Sequence, residues 1–424
     1  MKRYFWLVIS FLLITVSCCK EEIPPIIIDS EGVVIKKSYY WKKKLLENNE
    51  FNSNSYIEVP IIFNSNIILP TVDNTGNKSI ILINTENGSQ IWEWNDFLGS
   101  NQNNTDVNDV FIQNNLLTWQ NSQRSYCINL NNGNTEWKYV REISINPHHF
   151  NSYQDKYLTY AIVNRESIYD EEVAYIGNIQ TGELDFFLYA NLSGEYVAPV
   201  TYNGLIGGIS YINETSNEKL LLVTYSEPLP EWKVRMMFGL YNTETQEWIY
   251  ERKQLVEPHW NAGVQSTPII YNNRVYAAAG STIVCHDVMT GEQIWAQEFD
   301  QDFLFSGFII EDGMLLANCE DTYLYRINPE IVNIEWRIKS AGTCSRMSYL
   351  NGVVYYVGGS TGYLHAVDTE TGLKTVWRIN ASKLGESDGS FTTNAVYCIP
   401  GENGDKGRVI ALSGRYAYCF EAYR

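Results

Sequence analysis

The sequence predicts an all-β protein, an eight-bladed β-propeller of four-stranded antiparallel blades, on three observations. A strand–turn–strand unit, typified by residues 284–295 (VCHDVMTGEQIW), recurs along most of the 424 residues. Its copies follow one another at intervals of 40 to 49 residues, with one longer step of 64. The chain finishes on half a unit, and the missing half stands near its start.

Each residue of the unit has a physical task. Asp287 can accept hydrogen bonds from the turn backbone, Gly291 can take a positive φ without steric cost, and Trp295 brings a large apolar face four residues later. The first copy has Asn84, Gly88 and Trp92 in these places, and the second has Asn129, Gly133 and Trp137. A third copy keeps Asn178, Thr181 and Gly182 but ends on Phe186; a fourth keeps Asn242 and Thr245, has Gln246 for the glycine and ends on Tyr250. The sixth retains Asn328 and Trp336 without a Thr-Gly pair, and the seventh has Ala366, Asp368, Thr371 and Gly372, with Trp377 one residue late. Forty to fifty residues is the length of one four-stranded blade. Helix-pair solenoids share this period, but the segments alternate like strands and have little helical periodicity. In the fifth unit four strands are legible at 267–270, 274–279, 282–287 and 293–298.

The two ends complete one another. Residues 418–422 supply the small residue and the acid of a third strand and stop before any turn or indole. Tyr39-Tyr40-Trp41-Lys42 reads as a fourth strand with its tryptophan and no partner before it. Residues 37–45 are therefore expected to close the last blade and remove the free sheet edges. A seven-bladed ring with a loose N-terminus is the alternative. The fourth unit is longer by about twenty residues, placed between Ser210 and Glu231 as an inserted loop, and residues 401–408 form a Gly-rich loop in the eighth.

The formal net charge is −18, which disfavours nucleic acid and anionic lipid headgroups as partners. Lys2 and Arg3 precede an apolar run from Tyr4 to Val16, too short to span a bilayer comfortably and suited to a signal peptide. Thr15-Val16-Ser17-Cys18 resembles a bacterial lipoprotein signal, with Thr15 where leucine is usual. The domains expected are a signal peptide over 1–17, a lipidated Cys18 with a flexible tether over 18–34, and the propeller over 35–424. Loss of the signal peptide removes two positive charges and no acid, leaving −20. Acylation at Cys18 would hold the chain on a membrane by lipid alone. Cys19-Lys20-Glu21-Glu22 is similar to a signal for export to the outer face of the outer membrane, so both a periplasmic-facing and a surface-exposed anchor stay open.

Catalytic chemistry is scarce. His148 and His149 are adjacent and would face opposite sides of a strand; His259, His286 and His365 are isolated. Metal-binding His spacings and Cys-x-x-Cys are both missing from the sequence. Asp109, Glu320, Asp321, Glu386 and Asp388 read as structural acids or weak cation sites. Cys127, Cys285 and Cys419 take the small-residue position of the third strand, where a thiol is a compact buried hydrophobe.

The pattern Ala-x-Asp-x-x-Thr-Gly-x-x-x-Trp resembles the tryptophan-docking repeat of the PQQ-like (quinoprotein-like) β-propellers over essentially the whole mature chain. The resemblance implies that Trp41, Trp92, Trp137, Trp295, Trp336 and Trp377 pack against the neighbouring blade. Quinoprotein dehydrogenases of this fold carry an adjacent cysteine pair, an aspartate base and a calcium site. No adjacent pair follows Cys18-Cys19, so no catalytic, cofactor-binding or metal residues are expected. The leading functional expectation is a non-enzymatic, membrane-anchored scaffold at the bacterial outer membrane, similar in architecture to the propeller subunit of the β-barrel assembly machinery, with an outer-membrane or periplasmic protein as partner. The alternative is a surface-exposed module binding glycan or peptide through Trp232 and Trp260, which lie outside the docking positions. A quinone-dependent or hydrolytic enzyme comes third.

Overall fold

The computed structural model describes residues 39–46, 61–75, 77–99, 110–121, 123–141, 144–153, 156–163, 171–189, 204–213, 215–228, 233–259, 268–303, 308–340, 342, 344–359, 361–372, 374–380 and 390–424. Eight four-stranded antiparallel sheets form the blades of a propeller. Blade one comprises Ile61–Phe63, Asn66–Val72, Lys78–Asn84 and Gln90–Trp94; blade two comprises Val110–Gln113, Leu116–Asn121, Arg124–Asn129 and Thr135–Val140. Blade three is Ser144–Tyr153, Lys156–Val163, Glu171–Gly177 and Leu184–Tyr189, and blade four is Gly204–Ile212, Lys219–Pro228, Val234–Asn242 and Glu247–His259. Blade five is Ile269–Tyr271, Arg274–Ala279, Thr282–Asp287 and Gln293–Glu298, and blade six is Phe308–Glu311, Met314–Asn318, Tyr323–Asn328 and Asn333–Lys339. Blade seven consists of Ser348–Leu350, Val353–Val357, Tyr363–Asp368 and Lys374–Asn380. Blade eight joins Phe391–Ile399, Arg408–Ser413 and Tyr416–Glu421 to the N-terminal strand Trp41–Lys44.

Two turn chemistries make the blades. First and second strands are joined by tight turns whose central pair both take positive φ, at Asn64-Ser65, Asn114-Asn115, Asn272-Asn273, Asp312-Gly313 and Asn351-Gly352. That is the requirement of a type I′ hairpin, which Asn, Asp and Gly satisfy at least cost. Third and fourth strands are joined by the longer Asx turn of the repeat. The apolar cores lie between blades, not within them. One cluster joins Tyr397, Ile410 and Cys419 of blade eight to Ile67, Leu69 and Ile81 of blade one, with Trp41 among them. Others join blade one to two, four to five, five to six, six to seven and seven to eight.

The ring closes at blade eight, which decides for eight blades against seven. Trp41 pairs with Cys419 and Lys44 with Tyr416, while Leu45 N–H donates to Arg415 O at 2.8 Å. Blade four differs from the sequence expectation. Residues assigned to an inserted loop form the strand Lys219–Pro228, and a tight Asx turn at Asn213 leads into it. Its extra length therefore lies in longer strands, up to 13 residues in Glu247–His259. The first strand of blade five runs Ile269–Tyr271, shifted from 267–270, and residue 267 lies outside the described residues.

Trp41 is 7% exposed and fills the seam between blades eight and one. Trp41→Ala is expected to cost ~3–5 kcal/mol, read as a lower urea midpoint, and removal of residues 39–46 at least as much. An unchanged midpoint in both variants would refute closure by this strand.

Candidate functional site

The chemistry-bearing residues of the repeat converge on the seams between blades. In each turn the Asx side chain caps the backbone: Asp287 Oδ1 accepts from Met289 N–H at 3.0 Å and Thr290 N–H at 2.8 Å, and Asn84 Oδ1 accepts from Glu86 N–H at 2.8 Å. The N–H of the fifth turn residue then donates to the Asx carbonyl, as Gly133 does to Asn129 at 2.8 Å.

The residue after the Asx is the hub. In blades two, five and seven its N–H is held by the blade's own type I′ turn: Leu130 N–H donates to Asn115 O at 2.8 Å, Val288 to Asn273 O at 3.0 Å and Thr369 to Gly352 O at 2.9 Å. Thr85 makes the same link through its hydroxyl, to Ser65 O. The hub carbonyl accepts the indole N–H of the preceding blade. Trp41 Nε1 donates to Thr85 O at 2.7 Å, Trp92 to Leu130 O and Trp137 to Ile179 O at 2.8 Å, Trp295 to Pro329 O at 3.0 Å and Trp336 to Thr369 O at 3.2 Å. The Trp41, Trp92, Trp137 and Trp336 rings lie over the fifth turn residue. At Gly88 and Gly133 a Cβ would come within 2.9 Å of the Trp41 and Trp92 rings, and φ is +73° and +74°. Glycine is needed there twice over.

Strand register explains why the indoles land alike. Trp92, Trp137, Trp295 and Trp336 stand opposite Leu82, Cys127, Cys285 and Arg326, each two residues before its Asx, and a β-bulge follows. Trp377 stands opposite Ala366 in the same way, because a larger bulge between Ala366 and Val367 absorbs its one-residue delay. The Trp377 side chain lies outside the described residues. In blade four Tyr250, not Trp248, takes the position: its hydroxyl donates to Val288 O at 2.8 Å, and Lys253 pairs with Glu292 at 2.6 Å across the same seam. Trp248 packs edge-on against Tyr241 of its own blade. In blade eight Ala422 is the hub, its N–H donating to Gly407 O at 2.9 Å, so the 401–408 loop serves as the anchoring turn.

Other candidates are also committed to structure. His286 bridges blades four and five, with Nε2 2.9 Å from Leu255 O and Nδ1 3.2 Å from Gly291 O, and its ring meets Phe238 edge-on. Burial holds its pKa below the usual imidazole range. His365 stacks on Tyr356. Burial pushes the Cys285 thiol up to about 11 and those of Cys127 and Cys419 up to about 12, so they are neutral packing groups and poor nucleophiles. Asp321 accepts from Tyr323 N–H at 2.9 Å and from the Tyr325 hydroxyl, and Glu320 N–H donates to Asp302 O. His148 and His149 fall at a register shift in their strand, and their side chains lie outside the described residues. Cys18, Trp232, Trp260, Asp109, Glu386 and Asp388 lie outside them altogether.

A family model described as outer membrane protein assembly factor BamB matches residues 242–350. The chain folds as an eight-bladed β-propeller, and residues 242–350 carry the likeness to that family. No curated protein matches the sequence. Among solved structures it is similar to BamB from Moraxella catarrhalis, with 13% identity, a TM-score of 0.55, and coverage of 90% of this chain and 99% of that one. A europium-containing methanol dehydrogenase gives 11% identity, a TM-score of 0.61 and coverage of 91% and 93%. A quinohemoprotein alcohol dehydrogenase from Comamonas testosteroni gives 9% identity, a TM-score of 0.59 and coverage of 91% and 76%. At these identities the likeness is one of fold.

Among the described residues the six thiols are free and no two of them are adjacent in sequence, and no three His, Cys, Asp or Glu side chains converge as metal ligands.

Two outcomes test the seam. Val332, a β-branched residue, occupies the glycine position of blade six at φ +55°. Val332→Gly should raise stability by ~1 kcal/mol by relieving this strain, whereas Gly133→Ala should lower it by roughly 1–3 kcal/mol, both read from denaturant midpoints. His286 titrates lower folded than unfolded, so the unfolded chain takes up its proton first as pH falls. Its contribution is complete above the ordinary imidazole pKa and is lost below it. From pH 7 to 5 the wild-type midpoint should therefore fall more steeply than that of His286→Phe; parallel profiles would contradict the assignment.

Proposed function

We propose that the chain is a non-enzymatic, lipid-anchored propeller of the bacterial cell envelope that binds a partner protein as a scaffold at the outer membrane. The observation that carries this reading is the full-length likeness to BamB, 99% of which is covered, together with the BamB family match over residues 242–350. The dehydrogenases share the ring equally well. What supports the scaffold over them is that, among the described residues, the Asx side chains of the turns, the buried thiols of the third strands and His286 are engaged in turns and seams. The apolar run after Lys2 and Arg3 and the Cys18 signal support anchoring by acylation at Cys18. The partner is an outer-membrane or periplasmic protein.

Capture of the tagged full chain from detergent-solubilised membranes should bring down one stoichiometric envelope protein, and Cys18→Ala should release the chain from the membrane fraction. Binding to a glycan array with no protein partner would favour the glycan-binding module instead. Quinone-dependent dye reduction by the purified chain would overturn the non-enzymatic reading.

A further inference from the structure

Blade eight is built differently from the others. Its fourth strand is not delivered by a hairpin from the third, since the strand Trp41–Lys44 comes from the opposite end of the chain. Its contacts reach both blades it lies between: Val72 N–H and the Thr71 hydroxyl of blade one donate to Leu45 O at 2.9 and 2.6 Å. Tyr40 N–H donates to Cys419 O and Leu45 N–H to Arg415 O, both at 2.8 Å, on either side of the four paired residues. Trp41 Nε1 donates to Thr85 O, the Tyr40 hydroxyl donates to Glu421 at 3.2 Å, and Lys42 Nζ sits 3.9 Å over the Tyr416 ring.

The edge that receives this strand is also held from its other side. Tyr416–Glu421 is paired along its other side with Arg408–Ser413, from Arg408 opposite Glu421 to Leu412 opposite Ala417. Beyond that strand Ala422 N–H is fixed to Gly407 O and Tyr423 N–H to the Tyr355 hydroxyl, each at 2.9 Å. The pocket for the indole is likewise complete on its far side, with Thr85 O and Gly88 supplied by blade one. An edge held from its other side, a deep aromatic pocket and a short strand that reaches the blade from the far end of the chain are the ingredients of strand donation and of domain swapping.

We propose that the outer edge of blade eight is a strand-exchange site, and that its ligand, besides the chain's own N-terminal strand, is the same strand of a second copy. The pocket selects a tryptophan flanked by Tyr40 and Lys42, a pattern that every copy carries. Within one chain the tether makes the intramolecular strand win by effective concentration. Once the connection is cut or the copies are refolded together at high concentration, the second strand competes on equal terms.

The test uses the full chain with a protease site placed in residues 50–55. After cleavage, a fluorescent peptide of residues 37–46 should bind saturably and displace the N-terminal piece, with the near-UV spectrum of the ring retained. The Trp41→Ala peptide should bind at least ~100-fold more weakly, the loss expected for an emptied aromatic pocket. Failure of excess peptide to displace the cut piece, or equal binding of the two peptides, would overturn the proposal. A second reading avoids cleavage: uncut chains refolded at high concentration should yield a dimer by size exclusion, and Trp41→Ala chains should not. Monomer alone at every concentration would count against it.

Discussion

The structure depends on one hydrogen bond made over and over, from an indole N–H of one blade to the carbonyl of the hub residue in the next. The bond is worth only about 1 kcal/mol net, yet its position is what matters. In blades two, five and seven the hub's own N–H is held by the type I′ turn of its blade, and the Trp41, Trp92, Trp137 and Trp336 rings cover the positive-φ glycine three positions after the hub whose carbonyl they donate to. One residue thus ties the inner turn, the outer turn and the neighbouring blade together, and the apolar clusters fill in between the blades it joins. A blade alone would bury one face of a sheet against nothing; the ring supplies each face with a partner.

Much of the fold was legible because turn chemistry and one large side chain recur at fixed offsets. The Asx, the glycine and the tryptophan are read directly from residues 84–92, 129–137 and 287–295, and the half-units at the two ends imply closure. Tyr250 was legible in the same way as the docking residue of the fourth copy, and it stands opposite Leu240 past the bulges of its blade. What stayed hidden has physical causes. The late Trp377 looked like a defect, and a larger bulge returns its backbone to the common position. The type I′ turns had a usable signal in Asn-Ser, Asn-Asn, Asp-Gly and Asn-Gly, but an inner turn shows no tryptophan to align on. His286 has no counterpart in the other copies, so only the three-dimensional seam reveals that it faces two carbonyls on two blades.

Blade four shows how much variation the ring tolerates. Its strands are the longest, its docking residue is a tyrosine, Gln246 takes the glycine position at φ +60°, and a salt bridge from Lys253 to Glu292 reinforces the seam. Its first turn, at Asn213, copies the Asx geometry of the outer turns, with Asn217 at φ +58° in the glycine's place, and lies against Met289 of blade five. The seam geometry is preserved while the residues that make it change. Docking is therefore a constraint on where a hydrogen-bond donor and a flat apolar surface stand, and tryptophan is its commonest solution.

The same logic separates positions open to functional selection from those that are not. The residue two after each Asx gives its N–H to the turn and nothing from its side chain, and there the chain has Glu86, Asn131, Gln180, Glu244, Met289, Glu330 and Glu370. Four of the seven are acidic and exposed, and they crown the face that also bears the type I′ turns. Glu244 lies 3.7 Å from Lys219 and Glu330 pairs with Arg274 at 2.7 Å, so part of this charge is balanced locally and the rest faces solvent. In a chain of net charge −18, this rim favours basic or neutral polar surfaces over acidic ones. The repeat thus leaves a ring of side chains outside its own structural demands, and acidity there costs the fold nothing while restricting what can dock on that face.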